Sequence, residues 1–355
     1  MTSQTDRDSR KALYEDMAPH HLTPLWEVLH ALVPPQPVSK AVPALWRYDE
    51  IRPFLMRSGD VITAEEAVRR VLILENPGLV GQSRITSSLY AGLQLILPGE
   101  VAPSHRHTQS ALRFVVEGEG AFTAVEGERV RMAEGDFIIT PNWAWHDHGS
   151  EAEQPVVWLD GLDIPMLQFF EAGFAENAAN ANPRVLHAEG RSQARWGSNL
   201  APIRPETPFG ATSPVFCYPF ARSRETLDHL ERHEPVDPWD GFKLRYINPA
   251  TGGWPMPTMG TFLQLLPAGF EGQKWRQTDG AVFSVIEGYG SVDMEAEANG
   301  DSWSISFEFG PKDHFVIPPW HTARWRSEKG CVLFSFSDRP AQEALGIHKE
   351  QRLEG

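Results

Sequence analysis

The sequence predicts an all-β fold made of two β-barrels of the jelly-roll kind, preceded by an N-terminal helical arm. From Val71 onward, short apolar runs are separated by Gly, Pro, Asn and Ser, which is typical of an antiparallel sandwich or barrel. An internal repeat doubles this pattern, because residues 94–120 align without a gap with residues 264–290. The length of 355 residues also exceeds the usual size of one domain, so we expect two core-forming units.

Residues 1–70 are predicted to form the helical arm. Residues 1–20 are polar and charged, so we expect a frayed segment there without the apolar core of a signal peptide. Thr23-Pro24 opens a helix, because a capping residue is followed by proline at the first helical position, and Pro34-Pro35 ends it. Shorter helices are expected at Tyr48–Met56 and Ala64–Val68.

Two barrels and a connection are predicted to follow the arm. The apolar runs assign the first barrel to residues 71–165 and the second to residues 246–340. Residues 166–245 are predicted to be a helical and irregular connection, and residues 341–355 a C-terminal tail. The strands expected in the first barrel are Val71–Leu74, Leu89–Leu97, Ala111–Val116, Phe137–Thr140 and Val156–Leu159, and the helices expected in the connection are Ile164–Phe174 and Glu225–Arg232.

The charge and the cysteine content restrict the class of protein. A net charge of −15 argues against binding to nucleic acid, which would require a basic surface. No apolar run approaches the length of a membrane span. Cys217 and Cys331 lie far apart in apolar surroundings, so we expect buried free thiols in a reducing compartment. The sequence therefore predicts a soluble cytoplasmic protein with no nucleic-acid or membrane partner.

Residues 99–120 carry the strongest chemical signal. His105 and His107 are two residues apart, so in an extended strand both imidazoles point to the same face. His146 ends a strand–turn–strand pattern that begins at Gly135 and supplies a third imidazole. Imidazole ligands suit zinc, copper, iron or nickel. The pattern therefore predicts that these three histidines bind one metal ion.

The second copy of the repeat keeps the turn residues but loses the imidazoles. The replacements are Trp275 for His105, Gln277 for His107 and Ala323 for His146. Because the fold persists without the histidines, their presence in the first copy requires a chemical explanation. His321 is a possible displaced remnant of the third ligand, although we expect a structural role for it.

The two blocks resemble the paired motifs of the cupin superfamily, Gly-x5-His-x-His-x3/4-Glu-x6-Gly and Gly-x5-Pro-x-Gly-x2-His. The sequence departs from these motifs in three ways. No glutamate follows His107, an arginine (Arg113) is found in this stretch instead, and Trp143 replaces a glycine of the second motif. These departures, with the phrases His-Arg-His-Thr-Gln-Ser-Ala-Leu-Arg-Phe and Trp-Leu-Asp-Gly-Leu-Asp-Ile-Pro, make the chain similar to the gentisate 1,2-dioxygenase family. The similarity spans roughly residues 70–340 and includes the degenerate second cupin.

The resemblance implies an iron(II)-dependent dioxygenase of aromatic catabolism. Such an enzyme opens gentisate (2,5-dihydroxybenzoate) between C1 and C2 with O2 as co-substrate and gives maleylpyruvate. One Fe(II) per chain is expected, since redox-inert zinc does not activate O2. Salicylate and 1-hydroxy-2-naphthoate dioxygenases share this layout and remain alternatives, as does a non-catalytic bicupin that binds a small molecule. A homotetramer is also implied by the resemblance alone.

Three polar residues are candidates for chemistry beside the metal. Arg113 interrupts an apolar strand, and we expect it to bind the substrate carboxylate, with an internal Asp or Glu as the alternative partner. His148 shares a face with His146 and is a catalytic candidate that hydrogen-bonds substrate or oxygen and moves a proton, or else a structural histidine. Asp160 is expected to orient His148 or a ligand, or else to be an ordinary turn acid.

Other residues are assigned with less chemical information. Gln94 lies on an apolar strand, where a buried amide needs partners, and the survival of its counterpart Gln264 favours a structural role over a catalytic one. By resemblance, Tyr90 and either Arg69 or Arg70 are candidates for the substrate pocket, and Gln94 is kept as a candidate for binding the substrate. Two further expectations are that Asp147 is exposed and that His229 and His233 lie on a solvated helix face.

Overall fold

Four β-sheets carry the repeat that is visible in the sequence. The computed structural model describes residues 4–178, 185–204, 210–298 and 301–353. The chain divides into two compact units, Met1–Val38 and Ser39–Gly355, and each copy of the repeat contributes two sheets to the second unit. The predicted all-β fold with two cupin barrels and an N-terminal helical segment is confirmed.

The first unit is helical. Its helices are α1 (Gln4–Met17) and α2 (Leu25–Leu32), joined through a 3-10 turn at Ala18–His20. The expectation of a frayed segment is wrong over α1, because that stretch contains strong helix formers and no Gly or Pro. Helix α2 lies where it was expected and ends before Pro34, but the expected cap is wrong, because Pro24 is itself the N-cap and no side chain caps the helix. The apolar side chains Trp26 and Leu32 of this helix are exposed.

The second unit begins with short elements before the first cupin. Its helices are α3 (Tyr48–Val61), α4 (Ala64–Ala67), α5 (Ile164–Phe169), α6 (Arg191–Trp196), α7 (Phe220–His233) and α8 (Arg339–Ala344). Helix α3 runs beyond its predicted end, and Gly59 lets it approach the sheet closely, since a Cβ there would lie 3.1 Å from the Leu97 side chain. Packing of α3 against the sheet therefore outweighs the weak helix propensity of the residues at its C-terminal end.

The strands follow the apolar runs within a few residues. Those before the second copy of the repeat are β1 (Ala44–Trp46), β2 (Val71–Ile73), β3 (Tyr90–Ile96), β4 (Val101–His107), β5 (Ala111–Glu117), β6 (Ala121–Val125), β7 (Glu128–Arg131), β8 (Phe137–Thr140), β9 (His146–Ser150), β10 (Val156–Leu162), β11 (Ala175–Asn177) and β12 (Cys217–Tyr218). Those of the second copy are β13 (Phe242–Arg245), β14 (Gly260–Leu266), β15 (Phe270–Glu271), β16 (Trp275–Gln277), β17 (Ala281–Gly288), β18 (Gly290–Ala298), β19 (Asp301–Phe309), β20 (His314–Ile317), β21 (Thr322–Ser327), β22 (Cys331–Ser337) and β23 (Glu350–Arg352).

The two cupins exchange their edge strands. The inner sheet of the first cupin has the order β12-β8-β5-β10-β3-β2, and that of the second has the order β1-β20-β17-β22-β14-β13. Strand β1 precedes the first cupin in the chain yet pairs with β20 of the second, whereas β12 lies just before the second cupin yet pairs with β8 of the first. The outer sheets have the orders β11-β4-β9-β6-β7 and β19-β18-β21-β16-β23.

The inner sheets face each other across the main hydrophobic core. Phe114 of β5 stacks on Phe334 of β22 with ring centroids 4.3 Å apart. Leu112 and Val116 also belong to this core, whereas Val115 belongs to the core inside the first barrel. Because side chains alternate along a strand, Arg113 must point into the first barrel.

Two aspartates tie the cupins together reciprocally. Asp163 accepts hydrogen bonds from the Ser110 backbone N–H (3.0 Å) and from the Thr258 hydroxyl (2.6 Å) of the other half of the unit. Asp338 likewise accepts hydrogen bonds from the Gly280 backbone N–H (3.0 Å) and from the Ser88 hydroxyl (2.8 Å). Each aspartate is buried and immediately precedes a helix with proline at an early position.

Cys217 and Cys331 are free thiols, as expected, although only Cys331 is fully buried. Among the described residues, no helix is long and apolar enough to cross a membrane.

Candidate metal centre and substrate pocket

Three histidines meet between β4 and β9 of the first outer sheet. His105 lies directly opposite His146 in the antiparallel pairing, and His107 follows two residues along β4. Their ring centroids are 4.2 to 5.3 Å apart, and one ligand nitrogen from each ring lies within 4.8 Å of the others. The strand register thus brings together the three residues that the sequence predicts as metal ligands.

The chemistry of these rings fits a divalent transition metal. His107 Nδ1 donates to the Gln109 carbonyl (2.9 Å) and His146 Nδ1 to the Ala144 carbonyl (3.0 Å), so each ring keeps its Nε2 lone pair free. The buried Nε2 of His146 has no partner in the described structure. Burial lowers the pKa of His105 to about 3 and that of His107 to about 4, which keeps both rings neutral, as metal ligation requires.

Arg113 lies at the centre of a buried polar network on the opposite wall. Its guanidinium donates to the Thr140 hydroxyl and to His148 Nε2 (3.0 Å), and its Nε lies 3.5 Å from Asp160. The internal carboxylate considered as the alternative partner is therefore present. Binding of a substrate carboxylate by Arg113 remains a prediction.

Asp160 lies in β10 rather than in a turn, and it contacts Arg113, which in turn bonds His148. Its carboxylate accepts from Trp158 Nε1 (3.0 Å), and burial raises its pKa to about 6 although Arg113 opposes the shift. His148 is 1% exposed, and its Nδ1 has no partner among the described atoms. The catalytic roles of both residues remain predictions.

The two neighbouring arginines have different surroundings. Arg69 is half-buried and lies against His105, with its Nη2 2.5 Å from the ring Nδ1. Burial, together with the nearby Arg113, lowers the pKa of Arg69 to about 10. Arg70 instead forms an ion pair with Glu100 at 2.8 Å, away from the histidines. Of the two candidates, Arg69 is the one beside the metal centre.

Tyr90 and Gln94 share the face of Arg113. Tyr90 lies opposite Leu162 in the β3–β10 pairing and Gln94 lies opposite Trp158, whose ring belongs to the core inside the first barrel. Burial raises the pKa of Tyr90, so its hydroxyl stays protonated and can donate a hydrogen bond. Gln94 is 4% exposed. Their contacts with substrate remain predictions.

The sequence did not reveal the partners of this network. Thr140 and Trp158 are not among the predicted site residues, although Thr140 ends the strand that leads to the third histidine. The prediction that Asp147 is exposed is wrong: it is 7% exposed, because β9 is flanked by β4 and β6. His229 lies on α7 with its side chain 57% exposed, as expected of a solvated face. His321 packs against Trp303 with ring centroids 5.3 Å apart.

Comparison with known proteins identifies the family. Residues 92–162 match the family described as Cupin domain. The chain is 50% identical to gentisate 1,2 dioxygenase 1 of Aquipseudomonas alcaligenes, over 97% of this chain and 96% of the relative. A gentisate 1,2-dioxygenase of Streptomyces sp is 37% identical over 99% of this chain and 98% of the relative. The chain belongs to the gentisate 1,2-dioxygenase family.

A solved structure supports the same assignment of the fold. The salicylate 1,2-dioxygenase of Pseudoaminobacter salicylatoxidans, in its adducts with gentisate, matches with a TM-score of 0.89 and 35% identity, over 100% of this chain and 96% of that chain. The gentisate 1,2-dioxygenase family is a family of ring-cleaving oxidoreductases, so the three-histidine centre lies in an enzyme scaffold.

Proposed function

We propose that this protein is an iron(II)-dependent gentisate 1,2-dioxygenase. It opens gentisate between C1 and C2 with O2 and gives maleylpyruvate, in the catabolism of aromatic acids. The observation that carries the proposal is the meeting of three neutral imidazoles with two guanidinium groups and one buried carboxylate. The excess positive charge of that pocket suits an anionic aromatic substrate.

The histidines His105, His107 and His146 are proposed to hold one Fe(II) per chain. Their all-nitrogen donor set leaves the full dipositive charge of the ion uncompensated, which favours an anionic chelating ligand. Bound iron supplies a Lewis-acidic, redox-active centre to which the substrate carboxylate, its ortho-hydroxyl and O2 are drawn.

The arginines are proposed to bind and orient the substrate carboxylate. Arg69 has no carboxylate within 4.0 Å among the described residues, so its charge is available to an anion. Arg113 forms an ion pair with Asp160 at 3.5 Å and is proposed to add a second guanidinium group to the binding of the substrate carboxylate. Tyr90 and Gln94 are proposed to hydrogen-bond the ring substituents from the same wall.

His148 and Asp160 are proposed to assist catalysis from this wall. His148 accepts a hydrogen bond from Arg113 at Nε2, so its proton resides on Nδ1. That N–H can donate to a substrate or oxygen atom. Asp160 holds Arg113, and thereby His148, in position.

The choice among 2-hydroxybenzoates is the finer part of the proposal. The 5-hydroxyl of gentisate makes the ring electron-rich, and Tyr90 is a polar group on the pocket wall that can recognise it. The relative crystallised with gentisate is itself named a salicylate dioxygenase, so salicylate is the second candidate, with 1-hydroxy-2-naphthoate beside it.

Turnover of purified protein tests this assignment. After reconstitution with Fe(II) under anaerobic conditions, gentisate should perturb the iron spectrum, and admission of air should produce the ring-opened chromophore. Rates with gentisate, salicylate and 1-hydroxy-2-naphthoate rank the substrates. Failure to turn over any 2-hydroxybenzoate, with little iron retained, would favour a non-catalytic binding protein.

The organisation of the protein is part of the same proposal. We propose a cytoplasmic homotetramer in which residues 71–165 form the metal-binding cupin and residues 246–340 the metal-free one. Residues 1–70, 166–245 and 341–355 are proposed as the arm, the connection and the tail. The exposed apolar side chains of α2 support association with further copies of the chain.

A further inference from the structure

A cavity of about 460 Å³ in the second cupin is bordered by two residues that align with metal-ligand candidates of the first cupin. Its wall includes Trp275 and Gln277, which replace two of the metal-binding histidines. Trp275 lies opposite Ala323 in the outer sheet, just as His105 lies opposite His146. Pockets for small molecules typically measure about 300–1,000 Å³, so this one suits a single substituted ring.

The cavity lies outside the packed interior of the second barrel. Trp275 is 4% exposed and its ring centroid lies 6.2 Å from that of Trp325. Phe283, which replaces Arg113, stacks on Phe315 with centroids 4.9 Å apart. Aromatic side chains therefore fill the interior where the first cupin has polar groups, and the cavity is a separate feature.

The wall of the cavity is both aromatic and basic. Its aromatic members are Trp239, Trp254, Phe262 and Trp275. Its charged members are four Lys or Arg side chains and three Asp or Glu side chains. The net charge of the whole chain is −15, so this positive excess is local.

Most of these charges are paired, but one strand keeps cationic groups available. Lys243 donates to Asp240 at 3.2 Å, which uses one of its three N–H groups, and its ammonium lies 5.1 Å from the ring centroid of Phe262 and 5.8 Å from that of Trp275. Arg245 has no carboxylate within 4.0 Å among the described residues; it stacks on Trp254 at 4.8 Å and donates to the Gly252 carbonyl. Stacking holds the guanidinium flat while its other edge donors remain free.

Lys243 and Arg245 are features of the second copy alone. They lie two residues apart on β13 and therefore point to the same side. Lys243 pairs with Gln264 as Val71 pairs with Gln94, so an apolar residue occupies the equivalent position in the first cupin. The basic pair accompanies the loss of the metal ligands.

We propose that this cavity binds a small aromatic carboxylate without metal. The ring packs against the Trp and Phe side chains, and the carboxylate accepts hydrogen bonds from Lys243 and Arg245. The site is non-catalytic, and its existence does not depend on turnover at the first cupin.

Binding of 3-iodobenzoate to the full chain tests the proposal. In the His105→Ala/His107→Ala background, which lacks the metal centre, calorimetry should still detect one molecule per chain. Adding Lys243→Met and Arg245→Met should weaken binding about tenfold or more, because charge-assisted hydrogen bonds are lost. Arg245→Met alone should also weaken binding, and we expect this variant to fold because the residue is exposed.

Arg276→Met is the matched control. Arg276 also stacks on a tryptophan, Trp320 at 4.7 Å, but it does not line the cavity. The Arg276→Met variant should bind 3-iodobenzoate as the parent chain does. In a crystal of the complex, anomalous diffraction should locate the iodine beside Trp275. Cyclohexanecarboxylate, which has the charge but not the aromatic ring, should bind more weakly.

Three outcomes would overturn the proposal. The first is that 3-iodobenzoate does not bind to the His105→Ala/His107→Ala variant. The second is binding at crystal concentration only, and the third is undiminished binding after replacement of Lys243 and Arg245. Gentisate turnover by the Lys243→Met/Arg245→Met variant is measured separately. If this variant still turns over gentisate but no longer binds 3-iodobenzoate, the inference is supported. If the wild type does not turn over gentisate, the proposed function is wrong, but the proposed binding site is unaffected.

Discussion

Two adjacent arginines, Arg69 and Arg70, have different contacts. Arg69 lies beside His105 without a carboxylate partner among the described residues, whereas Arg70 is 5% exposed and paired with Glu100. The sequence indicated both as pocket candidates and had no means to choose. The choice depends on which side of the chain faces the barrel at the start of β2.

The arginine pair gives a matched prediction. Arg69→Met should raise KM for gentisate about tenfold, because a charge-assisted contact with the carboxylate is lost, and should leave the unfolding midpoint unchanged. Arg70→Met should lower the free energy of unfolding by about 1–3 kcal/mol and leave KM unchanged, because Glu100 loses its partner. Steady-state kinetics and urea unfolding measure both. An equal rise of KM in the two variants would contradict the assignment.

At the scale of elements, the reciprocal aspartates join helix starts to the opposite cupin. Burial raises the pKa of Asp163 and of Asp338 to about 6 from the ordinary value of 3.8. The folded state therefore binds these protons more tightly than the unfolded state does. Their contribution to stability consequently falls as the pH rises from about 4 to about 6 and is level above that range.

Asp163→Asn isolates this effect. The amide can still accept from the Ser110 N–H and donate to the Thr258 hydroxyl, but it does not ionise. Its stability relative to wild type should increase by about 1–3 kcal/mol between pH 4 and pH 7. Urea unfolding across this range measures the difference, and Asp163→Ala, which loses both bonds, should be destabilised throughout. A constant difference between wild type and Asp163→Asn would refute the explanation.

The first helical unit gives a second prediction at this scale. Helix α2 exposes an apolar face that includes Trp26, Leu29 and Leu32. Burial of such a face against another copy of the chain is favourable, so removal of residues 1–38 should reduce the oligomer size. Light scattering with size-exclusion chromatography measures the mass. The Leu29→Glu/Leu32→Glu variant should lower the mass as the deletion does, whereas Lys11→Ala should leave the mass unchanged. An unchanged mass in both the deletion and the double variant would refute a role of α2 in assembly.

At the scale of the whole molecule, a metal ion bound by the three histidines would stabilise the folded state. A ligand that binds only the folded state raises its stability in proportion to the logarithm of ligand concentration over Kd. The triad lies on adjacent strands of one sheet, so an ion there would also join those strands.

Removal of the metal should therefore lower the melting temperature. Treatment with a chelator should lower it by several degrees, and anaerobic Fe(II) should restore it. His105→Ala/His107→Ala should melt at one temperature with or without chelator. Differential scanning calorimetry provides the measurement, and an equal chelator effect in that variant would exclude the triad as the binding site.

Much of the architecture was predictable because its signals are local. Apolar runs and turn residues indicated most strands of the first cupin, and the repeat indicated a second barrel. The exchanged edge strands β1 and β12 escaped prediction, since segments of three and two residues carry no periodicity. The helix over Gln4–Met17 also escaped prediction, because its sequence is polar and lacks a clear apolar stripe.

The sequence by itself determined the three metal-ligand candidates and the family, because the alternation of side chains along a strand is a local property. Only the tertiary structure decided that Arg113 is paired with Asp160, that Arg69 rather than Arg70 adjoins His105, and that a basic aromatic cavity adjoins Trp275 and Gln277 in the second cupin. Those contacts join residues from distant strands, and pairing across a sheet depends on the whole fold.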